Sequence, residues 1–167
     1  MELQKRKLPR LKDFDYSTPG AYFITICTHN KKHIFGRIHP VDALTEAITD
    51  LSAIGEIAKH HLLDIESHYD NITLDNWVIM PNHIHMLVHI RERKQFSPTP
   101  KFDISNIIGK FKAAVTRSVR KTIQSPPKVW QTSFYDHIVR NENDYQMIWQ
   151  YISGNPNKWI EDCFYTD

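Results

Sequence analysis

Two histidines lie two positions apart in an apolar stretch of the chain, VIMPNHIHMLVHI, residues 78–90. Because side chains alternate between the two faces of a strand, His83 and His85 would project from one face and Ile84 from the other. Two neutral imidazoles held in parallel on a rigid strand can supply two ligands to a divalent metal. A chain with 10 histidines could also place two of them in this pattern by chance. The HxH pattern therefore gains its meaning from the residues that accompany it.

A second group of candidate residues lies near the C-terminus, in NENDYQMIWQYISGN, residues 141–155. In a helix, Tyr151 and Asn155 are four residues apart and share one face. The amide oxygen of Asn155 would add a third ligand to His83 and His85 and leave positions open. Open positions with mixed nitrogen and oxygen ligands suit Mg²⁺ or Mn²⁺ acting as a Lewis acid. Beside a metal-polarised phosphate, Tyr151 would be a nucleophile able to form a phosphotyrosine.

Each of these residues also has a structural interpretation. Taken singly, Tyr151 is also typical of a core aromatic, and Asn155 before Pro156 is typical of a helix stop. Two other tyrosines are weaker candidates for the nucleophile. Tyr145 is rotated away from Tyr151 on the same helix, and Tyr135 precedes that helix.

Two further histidines lie near the candidate site along the chain. His89 continues the face of His83 and His85, but at about 6.5 Å per two strand residues it is too far along to share a metal with His83. We interpret it as a polar strand end. His137 could approach the site from a neighbouring strand, and we expect it to be a structural hydrogen-bonding residue.

The remaining sequence predicts the elements that position these residues. Residues 21–28, 71–80 and 83–90 are rich in β-branched and aromatic residues and predict strands, and Pro81 and Asn82 provide the turn of a hairpin between the last two. Apolar positions spaced by three and four predict helices over residues 41–68 and 103–122, the second capped by Asp103 or Ser105. Residues 129–139 could form a fourth strand. A last helix starts at Asn141 and ends at Gly154.

This βαββαβ order, followed by a C-terminal helix that carries Tyr151, indicates an α+β protein with a ferredoxin-like fold. Two helices would pack on one face of a four-stranded antiparallel sheet. With 167 residues, 41% hydrophobic and 24% charged, the chain is expected to form one domain, residues 1–167, that starts with a basic arm, residues 1–16. The cysteines Cys27 and Cys163 are far apart in sequence, and no apolar run approaches the length of a signal core or a membrane span. We therefore expect a cytoplasmic protein without a membrane partner.

The net charge is only +2, but the basic residues are segregated along the chain. One basic cluster lies in the N-terminal arm and the other in the second predicted helix, where three side chains fall within roughly 20° of one line. Such segregation allows a positive face on a nearly neutral protein. The alternative is a pair of solvated surfaces without a partner. The candidates for DNA binding are Lys5, Arg6, Lys7, Arg10, Lys110, Arg117 and Lys121.

Four segments together resemble a known family. MPNHIHMLV, VWQTSFYDHIVRNENDY and YISGNPNKW, in this order and spacing, with GAYFITICTHN near the start, resemble the HUH single-tyrosine transposases. The resemblance is to the branch of REP-associated tyrosine transposases and their insertion-sequence relatives, and it spans about residues 8–162. It implies a ferredoxin-like nuclease that acts on single-stranded DNA near a short hairpin.

The resemblance also implies roles for particular residues. His83, His85 and Asn155 match the positions that bind a divalent metal in the family, and Tyr151 matches the tyrosine. That tyrosine attacks the scissile phosphate, forms a 5′-phosphotyrosine and frees a 3′-OH that can later reverse the step. Some relatives build each active site from two chains and others act as monomers, so a homodimer is one of two expected assemblies.

Only residues 157–167 follow Pro156, so we expect almost no C-terminal tail that could cover the site or clamp DNA. Two alternative functions remain from the sequence. One is a hairpin-binding protein of the same fold that does not cleave. The other is a small metal-dependent hydrolase of other substrates, in which Tyr151 only orients a water; the basic clusters count against it.

Overall fold

The computed structural model describes residues 14–39, 47, 49–92 and 103–166. The main sheet has four strands in the order β4-β5-β1-β6, and all neighbours in it are antiparallel. This is the predicted ferredoxin-like arrangement. The strands are β1 Gly20–Cys27, β2 Gly36–Ile38, β3 Thr49–Leu51, β4 Ile72–Met80, β5 His83–Ile90 and β6 Tyr135–Ile138. The helices are α1 Ala53–Leu63, α2 Ile65–His68, α3 Ile104–Thr122 and α4 Glu142–Gly154.

The two faces of the sheet are covered by different helices. On one face, Ile84, Met86 and Val88 of β5 join the apolar sides of α1 and α3 in the main hydrophobic core. On the other face, Leu87 of β5 contacts Ile148 and Ile152 of α4 in a much smaller cluster. The alternation of side chains along β5 thus separates a large core from a small one. His83 and His85 share the face of Leu87 and lie on the α4 side.

The second predicted helix is confirmed as α3. Asp103 is its N-cap, and its side chain accepts a hydrogen bond from the backbone N–H of Asn106 at 2.7 Å. Of the two predicted caps, Asp103 is therefore the correct one. The buried side chains of α3 follow the predicted stripe, which consists of Ile104, Ile107, Ile108, Phe111, Val115 and Val119.

The prediction for the first helix is wrong at its N-terminal end. Residues 41–46 and 48 lie outside the described residues, and Thr49–Leu51 form β3, which pairs with β2. The helix begins only after Ser52, whose side chain accepts a hydrogen bond from Gly55 N and donates one to Ile34 O. Gly55 is required there because a Cβ atom would clash with the carbonyl oxygen of Phe35. The apolar spacing at three and four runs across a strand, because Leu51 of β3 packs, partly buried, against the same core as the buried side of α1.

The C-terminal part of the chain follows the prediction closely. β6 is shorter than the predicted residues 129–139, and α4 begins after Asn141, whose side chain caps Asp144 N at 2.9 Å. Asn155 still has helical dihedral angles, φ −60° and ψ −42°, and a 3₁₀ helix over Pro156–Glu161 follows it. The helical geometry therefore extends through Asn155. Within the described part of the chain, no helix combines the length and apolar character that crossing a membrane requires.

Candidate functional site

The histidine pair lies at the start of β5 and is buried. The side chains of His83 and His85 point to the α4 side, and the two residues are 0% and 1% exposed. Their Nε2 atoms are 3.0 Å apart. Adjacent ligands of an octahedral metal, each at about 2.1 Å, are also separated by about 3.0 Å. The spacing of the two nitrogens therefore fits a shared divalent metal.

A buried asparagine sets the tautomer of His83, the first histidine of the pair. Nδ2 of Asn82 donates to the carbonyl oxygens of Phe164, at 2.8 Å, and Lys31, at 3.3 Å, which fixes the orientation of the amide. Oδ1 of Asn82 therefore faces Nδ1 of His83 at 2.8 Å and accepts a hydrogen bond from the Nδ1–H group. With the proton on Nδ1, the Nε2 atom of neutral His83 carries a lone pair.

The second histidine is held from the neighbouring strand. Thr25 on β1 is the register partner of His85, and its Oγ1 atom lies 2.8 Å from Nδ1 of His85. Because a hydroxyl can accept or donate, it allows the tautomer in which Nε2 of His85 is also a free ligand atom. Burial lowers the pKa of His83 to about 4, against the opposing charge of Asp162. Burial, and after it the neighbouring His83, lowers the pKa of His85 well below its ordinary value. Both imidazoles are therefore neutral at pH 7, as metal ligands must be.

Tyr151 and Asn155 on α4 face the histidine pair. The hydroxyl of Tyr151 lies 3.3 Å from Nε2 of His85, and its ring packs edge-on against Phe23. Tyr151 is 41% exposed, whereas Asn155, one turn later, is 2% exposed. The buried Oδ1 atom of Asn155 has no hydrogen-bond partner among the described residues. An orphaned carbonyl oxygen beside two neutral imidazoles is a donor suited to a cation.

The expectation that almost no tail covers the site is wrong. Oδ2 of Asp162 lies 2.7 Å from Nδ2 of Asn155, 3.3 Å from the hydroxyl of Tyr151 and 4.0 Å from Nε2 of His83. The ring of Phe164 stacks beside His83 at 4.8 Å between centroids. Few residues suffice because the 3₁₀ helix after Asn155 turns the chain back towards β5.

The carboxylate also influences the tyrosine. Burial raises the pKa of Tyr151 above its ordinary value, and the negative charge of Asp162 raises it further. The phenol is therefore protonated at neutral pH in the absence of a cation.

Three histidine and carboxylate side chains at this site could together hold a metal. One ligand atom each from His83, His85 and Asp162 all lie within 4.8 Å of one another. The amide oxygen of Asn155 adds a fourth donor in the same place. The donor set thus fits a divalent cation, and it includes a carboxylate in addition to the three residues predicted from the sequence.

The predicted basic residues of α3 do not join this cluster. Lys110, Arg117 and Lys121 are exposed on α3, which packs on the opposite face of the sheet. Lys110 and Arg117 line a cavity of about 550 Å³ between α3 and the α1–α2 segment, and the Lys110 ammonium lies 6.0 Å from the centre of the Tyr69 ring. Lys5, Arg6, Lys7 and Arg10 lie outside the described residues.

The remaining candidates have other contacts. The hydroxyl of Tyr145 donates to Asp75 at 3.0 Å, and Nδ1 of His89 lies 3.3 Å from the same carboxylate. Nε2 of His137 lies 2.9 Å from Asp144 in the first turn of α4, so it is a structural hydrogen-bonding residue, as predicted. The ring of Tyr135 approaches Phe164, with 6.0 Å between centroids.

Sequence reasoning missed three residues of the site. The sequence indicates only a turn residue at Asn82, although its position directly before the first histidine is a signal. Thr25 lies in a strand whose register a single sequence does not reveal. Asp162 lies beyond the last helix, and its only signal was a lone carboxylate one 3₁₀ helix after Asn155.

A ferredoxin-like sheet that presents a buried histidine pair to a tyrosine-bearing helix defines the class of the molecule. Within that class, the chain belongs to the IS200-like transposase family, whose model matches residues 21–155. The resemblance to the single-tyrosine transposases is thereby confirmed, and the molecule is a Y1 transposase-like protein.

Individual relatives agree with this family. A Haemophilus influenzae protein described only as uncharacterized is 34% identical and aligns with 99% of this chain and 96% of its own length. A putative REP-associated tyrosine transposase from the same organism is 23% identical over 86% of this chain and 74% of its own. A solved REP-associated tyrosine transposase bound to a REP hairpin has the same fold, with a TM-score of 0.61 and 19% identity over 90% of this chain and 74% of that one.

Proposed function

We propose that this protein is a metal-dependent endonuclease and strand transferase for single-stranded DNA that cleaves near hairpins through a 5′-phosphotyrosine. The observation that carries the proposal is the position of the Tyr151 hydroxyl, 3.3 Å from Nε2 of His85. One turn further along the same helix, Asn155 places its unpartnered oxygen in the same site. A candidate nucleophile and three candidate metal ligands thus converge within one chain.

Mg²⁺ or Mn²⁺ would be held by His83, His85 and Asn155. The metal would polarise a phosphate oxygen and stabilise the charge that develops in the transition state. The lone pair on Nε2 of His83, the neutral imidazole of His85 beside it and the orphaned Oδ1 atom of Asn155 support this assignment. Because the ligands come from β5 and the end of α4, the sheet and the helix fix their separation.

The chemical step is a transesterification at phosphorus. The Tyr151 oxygen forms a bond to the scissile phosphorus, and the bond from phosphorus to the 3′ oxygen breaks, which leaves a 5′-phosphotyrosine and a free 3′-OH. The phenol proton passes to solvent, and the departing 3′ oxygen takes up a proton to become the 3′-OH. The reverse attack by a 3′-OH would restore the phenol and join the strands. The partial exposure of Tyr151 supports access by DNA, because part of this residue faces solvent although His83 and His85 beside it are buried.

Binding of DNA is proposed for the two basic regions. Lys110, Arg117 and Lys121 are exposed on α3 and would contact phosphates. Lys5, Arg6, Lys7 and Arg10 of the N-terminal arm are proposed on their sequence positions alone. The likeness of the fold to a transposase solved with a REP hairpin supports a hairpin as the partner.

The test is to trap the covalent intermediate. Wild-type protein, Mn²⁺ and a 5′-extended hairpin oligonucleotide from the DNA that flanks the coding region should give a protein–DNA adduct on the downstream fragment, with a free 3′-OH on the upstream fragment. Tyr151→Phe should bind the hairpin and form no adduct. It should cost less than about 1 kcal/mol of stability, because both hydroxyl contacts are long and the residue is partly exposed.

The matched control is Tyr145→Phe, which removes a hydroxyl from the same helix outside the site and should leave adduct formation unchanged. Peptide mass spectrometry identifies the modified residue. An adduct on Tyr135 or Tyr145 would overturn the assignment. Hairpin binding without any cleavage would favour the non-catalytic binding protein, and cleavage without an adduct would favour a nuclease that uses water.

A further inference from the structure

We propose that Asp162 supplies a carboxylate ligand to the metal bound by His83 and His85, so that the C-terminal segment is part of the metal site. The inference rests on the metal site of the proposed function and adds a residue to it. The family resemblance implies only His83, His85 and Asn155 as ligands. Asp162 enters through its position in the structure.

The two carboxylate oxygens of Asp162 have different surroundings. Oδ1 accepts a hydrogen bond from the backbone N–H of Phe164 at 2.6 Å, which anchors the side chain. Oδ2 points into the site, where it faces Asn155, Tyr151 and Nε2 of His83. This geometry leaves one oxygen to orient the carboxylate and the other to bind a cation.

A positive charge nearby would stabilise the buried carboxylate of Asp162. The side chain of Asp162 is 1% exposed, and among the described residues no lysine or arginine forms an ion pair with it. Its nearest basic group is Nε2 of His83 at 4.0 Å, and that atom carries a lone pair because the His83 proton is held on Nδ1 by Asn82. A buried anion without a compensating cation is unfavourable. A metal bound to both His83 and Asp162 would remove this imbalance.

The resulting donor set has a definite metal preference. Two imidazoles, one carboxylate and one amide oxygen form a two-histidine, one-carboxylate set with open positions, which is typical of first-row divalent metals. Mg²⁺ prefers oxygen ligands and retains its waters, so two nitrogen ligands favour Mn²⁺ over Mg²⁺. The added negative charge increases the affinity for either ion.

The test measures metal binding without DNA. Mn²⁺ is titrated into the full chain by isothermal titration calorimetry, and the melting temperature is measured with and without Mn²⁺. Asp162→Asn keeps the shape of the side chain and removes its charge. It should weaken Mn²⁺ binding by about 10- to 100-fold. Because Asn cannot accept both hydrogen bonds that Oδ1 and Oδ2 accept from Phe164 N and Asn155 Nδ2, circular dichroism should first show that the metal-free Asp162→Asn protein is folded. The matched control is Glu161→Gln, an exposed neighbour, which should bind Mn²⁺ like the wild type.

Two comparisons separate this inference from the proposed function. Wild-type Mn²⁺ affinity in Asp162→Asn, or in Asp162→Ala shown to be folded by circular dichroism, would overturn the inference. If the double variant His83→Ala, His85→Ala then loses Mn²⁺ binding, the proposed metal site stands without Asp162. If the double variant also binds Mn²⁺ like the wild type, the metal site itself is wrong and both proposals fail.

Discussion

Replacing Asn82 by alanine tests whether this residue positions the first histidine. Asn82 is 0% exposed, and its amide connects three parts of the chain: His83 on β5, the Lys31 carbonyl and the Phe164 carbonyl. Asn82→Ala leaves the imidazole N–H and two carbonyl oxygens without this partner in a buried place. An unsatisfied buried group costs about 1–3 kcal/mol, and one of the three contacts is long, so we expect roughly 2–4 kcal/mol of lost stability.

The metal affinity should fall as well, for a separate reason. Without the acceptor on Nδ1, the proton of His83 can move to Nε2, where it blocks the ligand atom. Loss of a partner that orients a metal-bound histidine typically lowers metal affinity about 10- to 100-fold. Urea denaturation measures the first effect and Mn²⁺ titration measures the second. Asn82→Asp separates the two, because it keeps an acceptor for His83 but cannot donate to the Phe164 carbonyl. It should lose stability and retain more of the metal affinity than Asn82→Ala.

Asn71→Ala is the matched control, directly before β4. Nδ2 of Asn71 also donates to a backbone carbonyl, that of Arg91 at 3.3 Å, but beside the end of β5 opposite to the histidines. It should cost about 1 kcal/mol and leave Mn²⁺ affinity unchanged. Wild-type Mn²⁺ affinity in Asn82→Ala would refute the argument that Asn82 sets the tautomer of His83.

Two further predictions concern charge. The triple variant Lys110→Ala, Arg117→Ala, Lys121→Ala should bind every hairpin sequence more weakly. The slope of log K against log salt concentration should become shallower by up to about 0.7 per lost contact on a single strand, as measured by fluorescence anisotropy. An unchanged slope would place the DNA contacts on the N-terminal arm instead. The free energy of unfolding of the metal-free protein should fall as the pH drops below about 6.5. In the unfolded chain His83 and His85 then bind protons. In the folded protein they do not, because burial lowers the pKa of His83 to about 4 and also lowers that of His85. Urea denaturation at pH 7, 6 and 5 measures this loss, and a His83→Gln, His85→Gln variant with the same pH slope would contradict it.

The parts of the site that follow from local geometry were predictable from the sequence. His83 and His85 share a face because a strand alternates, and Tyr151 and Asn155 share a face because a helix repeats every 3.6 residues. The order of strands and helices then left few arrangements, and the ferredoxin-like one places β5 in the interior of the sheet. These inferences needed only short-range periodicity and the rules of chain connection.

The parts that depend on contacts distant in sequence were not predictable. Thr25 approaches His85 only because β1 pairs with β5 in a particular register, and Asn82 contacts Phe164 across 82 residues. The position of Asp162 depends on a short 3₁₀ helix that the spacing of apolar residues does not predict. The predicted first helix extends too far for a related reason. Leu51 of β3 and the buried side of α1 pack against the same core, so periodicity alone does not separate the two elements.

The layers of the fold also restrict how one DNA molecule could contact both proposed regions. Tyr151 lies on the α4 side of the sheet, and Lys110, Arg117 and Lys121 lie on α3 on the opposite side. A phosphate at Tyr151 and a phosphate at Lys110 are therefore separated by the thickness of the sheet and cannot belong to neighbouring nucleotides. DNA that contacts both regions has to pass around an edge of the sheet. A folded hairpin with a single-stranded extension has two parts that could occupy the two sides, whereas a short single strand at Tyr151 would leave α3 without DNA.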